Sequence, residues 1–319
     1  MKIIVVGYDQ MFSNLILGTL ASGHKVVGVF RHDRVVYHPF LLFLKDTFFP
    51  SKDYSFIKSL NLNEVKARSV NSKTFKKELL KLEPDLIIVG SWSEKFKKQI
   101  IDLPKIGTIN CHPSILPRYR GPNPYIRVIM NGEKETGITF HLMDEKLDNG
   151  PILMQKKLEI IQGVNGDTGE SLKSKCCNLA KPSVCELLQS MDNEIIIPMP
   201  QNVKEATYYP QINEKDILLD FRKTSDELDR QLRALFPFQP AYIAHGKTFL
   251  KVKSHKIFEN KTNYTTAGMI VRKEKNNILV VTGDNKLIAL KGLQVFGKTG
   301  FLLTPLYMKM FVKTGDICR

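Results

Sequence analysis

Asn110 and His112 stand two residues apart in Ile109-Asn110-Cys111-His112-Pro113. In an extended strand side chains alternate, so that spacing sends both to one face. An amide and an imidazole on one face can both donate to a single developing oxyanion. Downstream, Leu147-Asp148-Asn149-Gly150 supplies a carboxylate on a separate loop, able to fix the imidazole's tautomer or to take a proton. Which of His112 and Asp148 handles the proton is not set by spacing. The chemistry these three residues suit is transfer of a small acyl group to a weakly basic nucleophile. Cys111 lies between Asn110 and His112, but the same alternation points it the other way. It is expected to be a buried thiol that packs as a small hydrophobe.

The elements that must position these groups alternate between strand and helix. Lys2–Gly7 reads as a buried strand, Phe12–Ser22 has helical apolar spacing ended by Gly23, and Val26–Phe30 is a second strand. An amphipathic helix over Lys73–Leu82 precedes a third strand in Pro84–Gly90. Short apolar strands separated by helices predict an α/β domain built on a Rossmann-like parallel sheet. Ligands bind such sheets beyond the carboxyl ends of the strands, where Gly90 and Asn110 fall. Gly7 stands alone without a Gly-x-Gly-x-x-Gly fingerprint, so no dinucleotide site is expected.

At 319 residues two domains are the natural division. The expected layout is a catalytic domain over 1–193, a Pro-containing linker over 194–207, and a second domain over 208–319. In the second domain Thr224-x-x-Glu227 is a capping box opening a helix with Leu228, Leu232 and Leu235 on one face. Short strands at Tyr242–Ala244, Thr248–Val252, Met269–Val271, Ile278–Val281 and Leu287–Leu290 predict a small β-barrel. The formal charge is +15, with 20 Lys and Arg against 11 Asp and Glu after residue 200. That excess suits an anionic partner. Five cysteines without CxxC spacing disfavour a disulfide framework, and no cluster has metal-ligand spacing, so no metal is expected. The chain has no apolar run of about 18 residues and no signal-peptide pattern. A cytoplasmic location is expected.

Several motifs together resemble the 10-formyltetrahydrofolate-dependent formyltransferases. They are Asn110-x-His112, Ser114-Ile115-Leu116-Pro117-Arg118-Tyr119-Arg120-Gly121, Gly137-Ile138-Thr139 and Leu147-Asp148-x-Gly150. Gly132-Glu133-x-Glu135-Thr136, Asp220-Phe221-Arg222, Arg230-x-x-Arg233-Ala234 and Pro237-Phe238 resemble the branch of that family acting on methionyl-tRNA. The resemblance runs from about residue 1 to 255. It implies 10-formyltetrahydrofolate as formyl donor, with Asn110, His112 and Asp148 as the catalytic residues. It implies donor contacts from Ser114, Ile115, Leu116 and Pro117, and from Gly90 and Trp92 on a second segment. For the C-terminal domain it implies an oligonucleotide-binding type of barrel, OB-like, with Arg230, Arg233 and nearby lysines meeting an acidic acceptor. Arg118 and Arg120 are expected to contact an anionic group.

The acceptor expected first is the amino group of initiator methionyl-tRNA. A nucleotide-linked amino sugar comes second, and hydrolysis of the formyl group third. A folate- or RNA-binding module without catalysis is the remaining alternative. Two departures bear on the acceptor. The methionyl-tRNA branch carries a Gly-rich basic loop between Arg31 and Ser51, where this chain has Tyr37-His38-Pro39-Phe40-Leu41-Leu42-Phe43-Leu44-Lys45 and Phe48-Phe49-Pro50. Its opening is also changed, to Gly7-Tyr8-Asp9-Gln10-Met11. Aromatic residues in that loop suit a hydrophobic wall or a stacked base better than a phosphate backbone.

Overall fold

The computed structural model describes residues 1–163, 165–193, 196–297 and 299–318. Glu194 and Ile195, which open the expected linker, lie outside the described residues. Two compact units divide the chain. One comprises Met1–Pro124, Thr136–Leu158 and Lys173–Tyr209, the other Tyr125–Glu135, Glu159–Leu172 and Pro210–Arg319. In chain order the elements begin with β1 (Lys2–Gly7), α1 (Asp9–Ala21), β2 (Lys25–Arg31), α2 (Asp33–Val36), α3 (Pro39–Phe48), α4 (Lys52–Ser59), α5 (Lys73–Leu82) and β3 (Leu86–Gly90). They continue with α6 (Lys98–Ile101), β4 (Gly107–His112), α7 (Pro124–Met130), β5 (Glu135–Leu142), β6 (Ile152–Glu159) and α8 (Gly169–Asp192).

The first unit carries a six-stranded sheet in the order β2-β1-β3-β4-β5-β6. Strands β2, β1, β3 and β4 are parallel, as their apolar runs predict. The strand beyond them departs from that expectation, because β5 runs antiparallel to β4. Alternation along β1 shows why both faces of the sheet are covered. Ile3 and Val5 join Phe12, Leu15 and Ile16 in one core, while Ile4 and Val6 join Phe30, Phe75 and Leu79 in the other. Burying each such side chain contributes up to about 1.5–3 kcal/mol. Helix α5 starts where Ser72 accepts from the Phe75 N–H, and it buries Phe75 and Leu79 at i and i+4. Gly7 and Gly90 end their strands side by side. A Cβ on Gly7 would lie 2.4 Å from Gly90 O, so close strand approach accounts for this glycine.

The second unit contains α9 (Glu214–Ile217), α10 (Ser225–Leu235), β7 (Ala241–His245), β8 (Thr248–Val252), β9 (Ser254–Phe258), β10 (Ile270–Glu274), β11 (Asn277–Val281), β12 (Leu287–Lys291), β13 (Gln294–Val295) and α11 (Gly300–Met310). Its strands form an antiparallel sheet in the order β10-β11-β12-β9 and another in the order β13-β8-β7. Lys253 alone separates β8 from β9, so one extended stretch serves both sheets. The Thr224–Glu227 capping box forms, and Leu228, Leu232 and Leu235 are buried as the spacing predicts. Arg233 corrects the expected anion-binding role. Only 5% of it is exposed; its Nε donates to Asp229 at 2.6 Å and its Nη1 to Asp167 O at 2.5 Å. The i, i+4 placement on α10 brings the guanidinium to Asp229, and its burial withholds it from an acceptor in solution. Arg230 is half-buried, with Nε 3.5 Å from Met130 O. Among the described residues no helix is long and apolar enough to cross a membrane.

Candidate active site

Strand β4 carries Asn110 and His112 to the carboxyl end of the parallel strands. Their side chains share a face, while Cys111 turns into the opposite core beside Ile109, Cys176 and Cys177. Burial pushes the Cys111 thiol well up, so it stays a thiol rather than a nucleophilic thiolate. Asp148 reaches the same face from the turn between β5 and β6. Its Oδ1 accepts from Asn110 Nδ2 at 3.2 Å and lies 3.5 Å from His112 Nδ1. Its Oδ2 accepts from the Gly121 N–H at 2.9 Å. The amide, the imidazole and the carboxylate expected to work together are therefore within one cluster, His112 and Asp148 both buried.

The ring of His112 is held at Nε2. Nε2 lies 2.8 Å from Tyr119 O, and a carbonyl can only accept, so Nε2 carries the hydrogen. Nδ1 is left facing Asp148. Burial, the largest single influence on Asp148, pushes its carboxyl up. The Gly121 N–H, and the positive charge of the His112 and His141 rings when these are protonated, outweigh it and hold the group well below the usual carboxylate range. The carboxylate is thus ionised at neutral pH.

His141 belongs to this cluster and is absent from the sequence expectations. Antiparallel pairing of β4 with β5 sets Asn110 opposite His141 and His112 opposite Thr139. His141 Nδ1 lies 2.8 Å from Leu142 O and so donates to it, leaving Nε2 to accept from Asn110 Nδ2 at 3.2 Å. That lone pair, together with Asp148 Oδ1, determines which way the Asn110 amide points. The signal lay in Gly137-Ile138-Thr139-Phe140-His141, where alternation groups Thr139 with His141. Finding it required the antiparallel register, which a parallel sheet does not provide.

The segment Ser114-Ile115-Leu116-Pro117 leaves β4 directly beside His112. Ser114 is buried, its Oγ donating to Arg118 O at 2.9 Å and its carbonyl accepting from Thr139 Oγ1 at 2.6 Å. Leu116 N donates to Thr139 Oγ1 at 3.1 Å, and Leu116 O accepts from Gln155 Nε2 at 2.7 Å. Thr139 and Gln155 therefore pin this loop, with Ile115 and Pro117 partly exposed on it. Gly90 pairs with Cys111 across β3 and β4, and a Cβ there would meet Leu15 at 2.5 Å. The Trp92 ring lies against Phe30 at 5.5 Å and edge-on to His32 at 5.4 Å, contacts distinct from the Asn110 group. Arg118 is exposed over the Tyr119 ring. Arg120 turns inward, giving hydrogen bonds to Asn149 Oδ1 at 3.0 Å and Gln201 Oε1 at 2.6 Å. Its guanidinium is engaged by protein groups rather than presented to an anion.

Residues 1–187 match the formyl transferase family, and residues 211–301 match the formyl transferase C-terminal domain. Among similar proteins, a methionyl-tRNA formyltransferase of Staphylococcus aureus is 30% identical over 304 residues, covering 94% of each chain. Another, of Wigglesworthia glossinidia brevipalpis, is 31% identical, covering 100% of this chain and 98% of its own. An N-formyltransferase from Helicobacter canadensis, solved with folinic acid and dTDP-3-aminofucose, superposes with a TM-score of 0.67 at 19% identity. That match covers 93% of this chain and 100% of the other. HypX from Aquifex aeolicus superposes with a TM-score of 0.66 at 16% identity, over 100% of this chain and 50% of its own. At these identities the two structures show a shared fold.

Proposed function

The chain belongs to the formyl transferase family, and on that premise we propose that it moves a formyl group from 10-formyltetrahydrofolate to the amino group of initiator methionyl-tRNA. The observation that carries the transfer chemistry is the convergence of Asn110, His112 and Asp148 on one face, with Asn110 Nδ2 bonded to Asp148 Oδ1 and His112 Nδ1 3.5 Å from the same oxygen. The acceptor reading is supported by methionyl-tRNA formyltransferases 30–31% identical across nearly the whole chain. A basic C-terminal third is in keeping with it.

In this reading the amine nitrogen attacks the formyl carbon, and the carbonyl electrons move onto oxygen. Asn110 Nδ2 stabilises that oxyanion. Of its two bonds inside the protein, both 3.2 Å long, the one to the neutral His141 nitrogen is the one exchanged for the oxyanion. The amine proton passes to His112 Nδ1, since Nε2 already carries a hydrogen, and the imidazolium that forms is stabilised by Asp148. Collapse of the tetrahedral intermediate breaks the bond from the formyl carbon to the folate nitrogen, which His112 protonates. Ser114–Pro117, with Gly90 and Trp92 on the neighbouring strand end, are the proposed donor-side residues. Residues 1–193 then form the catalytic domain, 194–207 the connection and 208–319 the acceptor-side domain, in a cytoplasmic enzyme.

A second reading, transfer to a nucleotide-linked amino sugar, is favoured by α3. Phe40 and Phe43 on this helix are 64% and 65% exposed, where a basic loop would serve a tRNA. A competition assay decides between them. With 10-formyltetrahydrofolate as donor, methionyl-tRNA and a panel of nucleotide-linked amino sugars are offered together, and formyl transfer is followed by mass. Formyl-methionyl-tRNA is the expected product. A formylated sugar alone overturns the tRNA assignment, and formate without a formylated amine means hydrolysis.

A further inference from the structure

The stretch after α8 reads in the sequence as a bare connection, yet it is bonded to the residues that hold His112 and Asp148. Met199 pairs with Ile152 through two backbone hydrogen bonds, each 2.8 Å. Thr207 N donates to Pro117 O at 3.2 Å, Arg120 N to Thr207 O at 2.9 Å, and Tyr209 N to Arg120 O at 3.0 Å. Thr207 Oγ1 accepts from Tyr119 N at 2.8 Å. The Tyr209 ring lies 5.1 Å from the Tyr119 ring and within 9° of parallel. Position 121 admits no side chain, because a Cβ there would fall 2.3 Å from Tyr209 O. Two backbone groups are fixed by these contacts, Tyr119 O and Gly121 N. They are the partners of His112 Nε2 and Asp148 Oδ2.

Gln201 completes the arrangement from the backbone side of Asp148. Its Oε1 accepts from Arg120 Nη2 at 2.6 Å and Nε at 3.2 Å. Its Nε2 donates to Asp148 O at 3.0 Å and to Gly150 O at 2.8 Å. Both edges of the carboxamide are therefore used, and its orientation is determined by its partners. Asp148 has φ +50°, a left-handed conformation that a non-glycine residue holds only when its surroundings impose it. The N–H pair of Gln201 is one such constraint.

We propose that Gln201 is a positioning residue of the reaction, its amide N–H groups holding the Asp148 turn at the angle where the carboxylate meets Gly121 N–H and the His112 ring. The proposal rests on the formyl-transfer reading of the site. It differs from a simple tether, in which Gln201 would serve only to attach its segment to Arg120.

The test uses the full chain carrying Gln201→Glu or Gln201→Met. Glutamate keeps an oxygen for Arg120 but sets a second oxygen, in place of N–H, against Asp148 O and Gly150 O. Methionine keeps the length and loses every hydrogen bond. Positioning predicts that both variants lose kcat, on the order of tenfold to a hundredfold, while KM for the formyl donor stays within about threefold. A tether predicts a wild-type rate for Gln201→Glu, and that result overturns the proposal. A second readout needs no turnover: the Asp148 carboxyl carbon is followed by NMR against pH. Loosened from its partners, Asp148 titrates closer to the ordinary carboxylate range in Gln201→Met, and an unmoved titration overturns the proposal. Gln201→Met carries both readouts if the glutamate variant fails to fold. Absence of formyl transfer in the wild type would sink the functional reading, whereas the carboxyl titration would still decide whether Gln201 holds Asp148.

Discussion

Replacing Asp148 by Asn removes a charge and almost no volume, so it isolates what the carboxylate does for His112. The Gly121 N–H beside Oδ2 requires an acceptor, so the new amide must keep its oxygen there. Its NH2 is then turned toward Asn110 Nδ2, donor against donor, and toward the His112 Nδ1 that has to take up the proton. At the 3.5 Å between His112 Nδ1 and Asp148 Oδ1, Coulomb attraction to an imidazolium is about 5 kcal/mol at an effective dielectric near 20 and about 1 kcal/mol in water. Both side chains are 6% exposed, which places the loss nearer the first value, and partial relaxation brings it to about 2–4 kcal/mol. The expected fall in kcat is therefore about 30- to 1000-fold. Rapid-quench formyl transfer measures it, with donor binding by calorimetry as the control. The pH dependence has a definite sign. Because the Asp148 carboxyl is held below the usual range, it contributes no limb to the rate profile above about pH 4. The stability it contributes is complete above the unfolded carboxyl value of about 3.9 and is lost as pH falls through the lower folded value. Asp148→Asn should accordingly lose less stability than the wild type on acidification below pH 4. A folded Asp148→Asn protein with kcat within about threefold of wild type would refute the reasoning.

Cys111 offers a negative control within the same strand: Cys111→Ser should leave kcat within about threefold, and iodoacetamide at pH 8 should label this thiol only on unfolding, because burial favours the thiol form. Labelling of Cys111 in the folded protein would contradict that. In the second unit, Asp229 lies between Arg233 at 2.6 Å and His255 at 2.8 Å. Asp229→Ala leaves Arg233 buried without its carboxylate and should cost about 3–5 kcal/mol in urea unfolding; a loss under about 1 kcal/mol would show that the buried pair is dispensable.

How much of the site was legible follows from how local each relationship is. Asn110 and His112 share a face because they share a strand, so period-two alternation sufficed, and it also assigned Cys111 to the core. Asp148 was recoverable from the motif separation, since a Leu-Asp-x-Gly turn stands at the spacing the formyltransferase resemblance requires. His141 was not, because its place beside Asn110 depends on β5 returning antiparallel to β4. Gln201 was hidden for a related reason. Its partners are Arg120, Asp148 and Gly150, none near it in sequence, and its own surroundings of prolines and polar residues carry no period. The capping box of α10 was readable because both partners lie three residues apart. Arg233, on that same helix, shows the limit of carrying an anion-binding role over from a motif: its i−4 neighbour is an aspartate, and the two are buried together.

The segment between β2 and α5 departs furthest from the sequence picture, and a buried cation explains its form. Arg31, at the end of β2, is fully buried. It bonds Asp33 of α2 and Glu64, both at 2.6 Å, and also Asp46 of α3. Its guanidinium also lies 4.8 Å from the Tyr54 ring of α4. An isolated guanidinium would be costly in this position, so the three carboxylates must converge on it. Convergence of Asp46 and burial of Leu42 orient α3 with its polar anchor inward. Phe40 and Phe43 are then left outward, together with Phe49 beyond the helix end, which is 81% exposed. An aromatic surface of this kind is therefore a consequence of how α3 is held, rather than of a helix failing to find a core. Such a surface favours flat or apolar groups over a phosphate backbone. The formyl-transfer cluster and this surface are built from different residues with different partners. Under the proposed function, the acceptor preference is assigned to α3 and the chemistry to Asn110, His112 and Asp148, and each can be varied without the other.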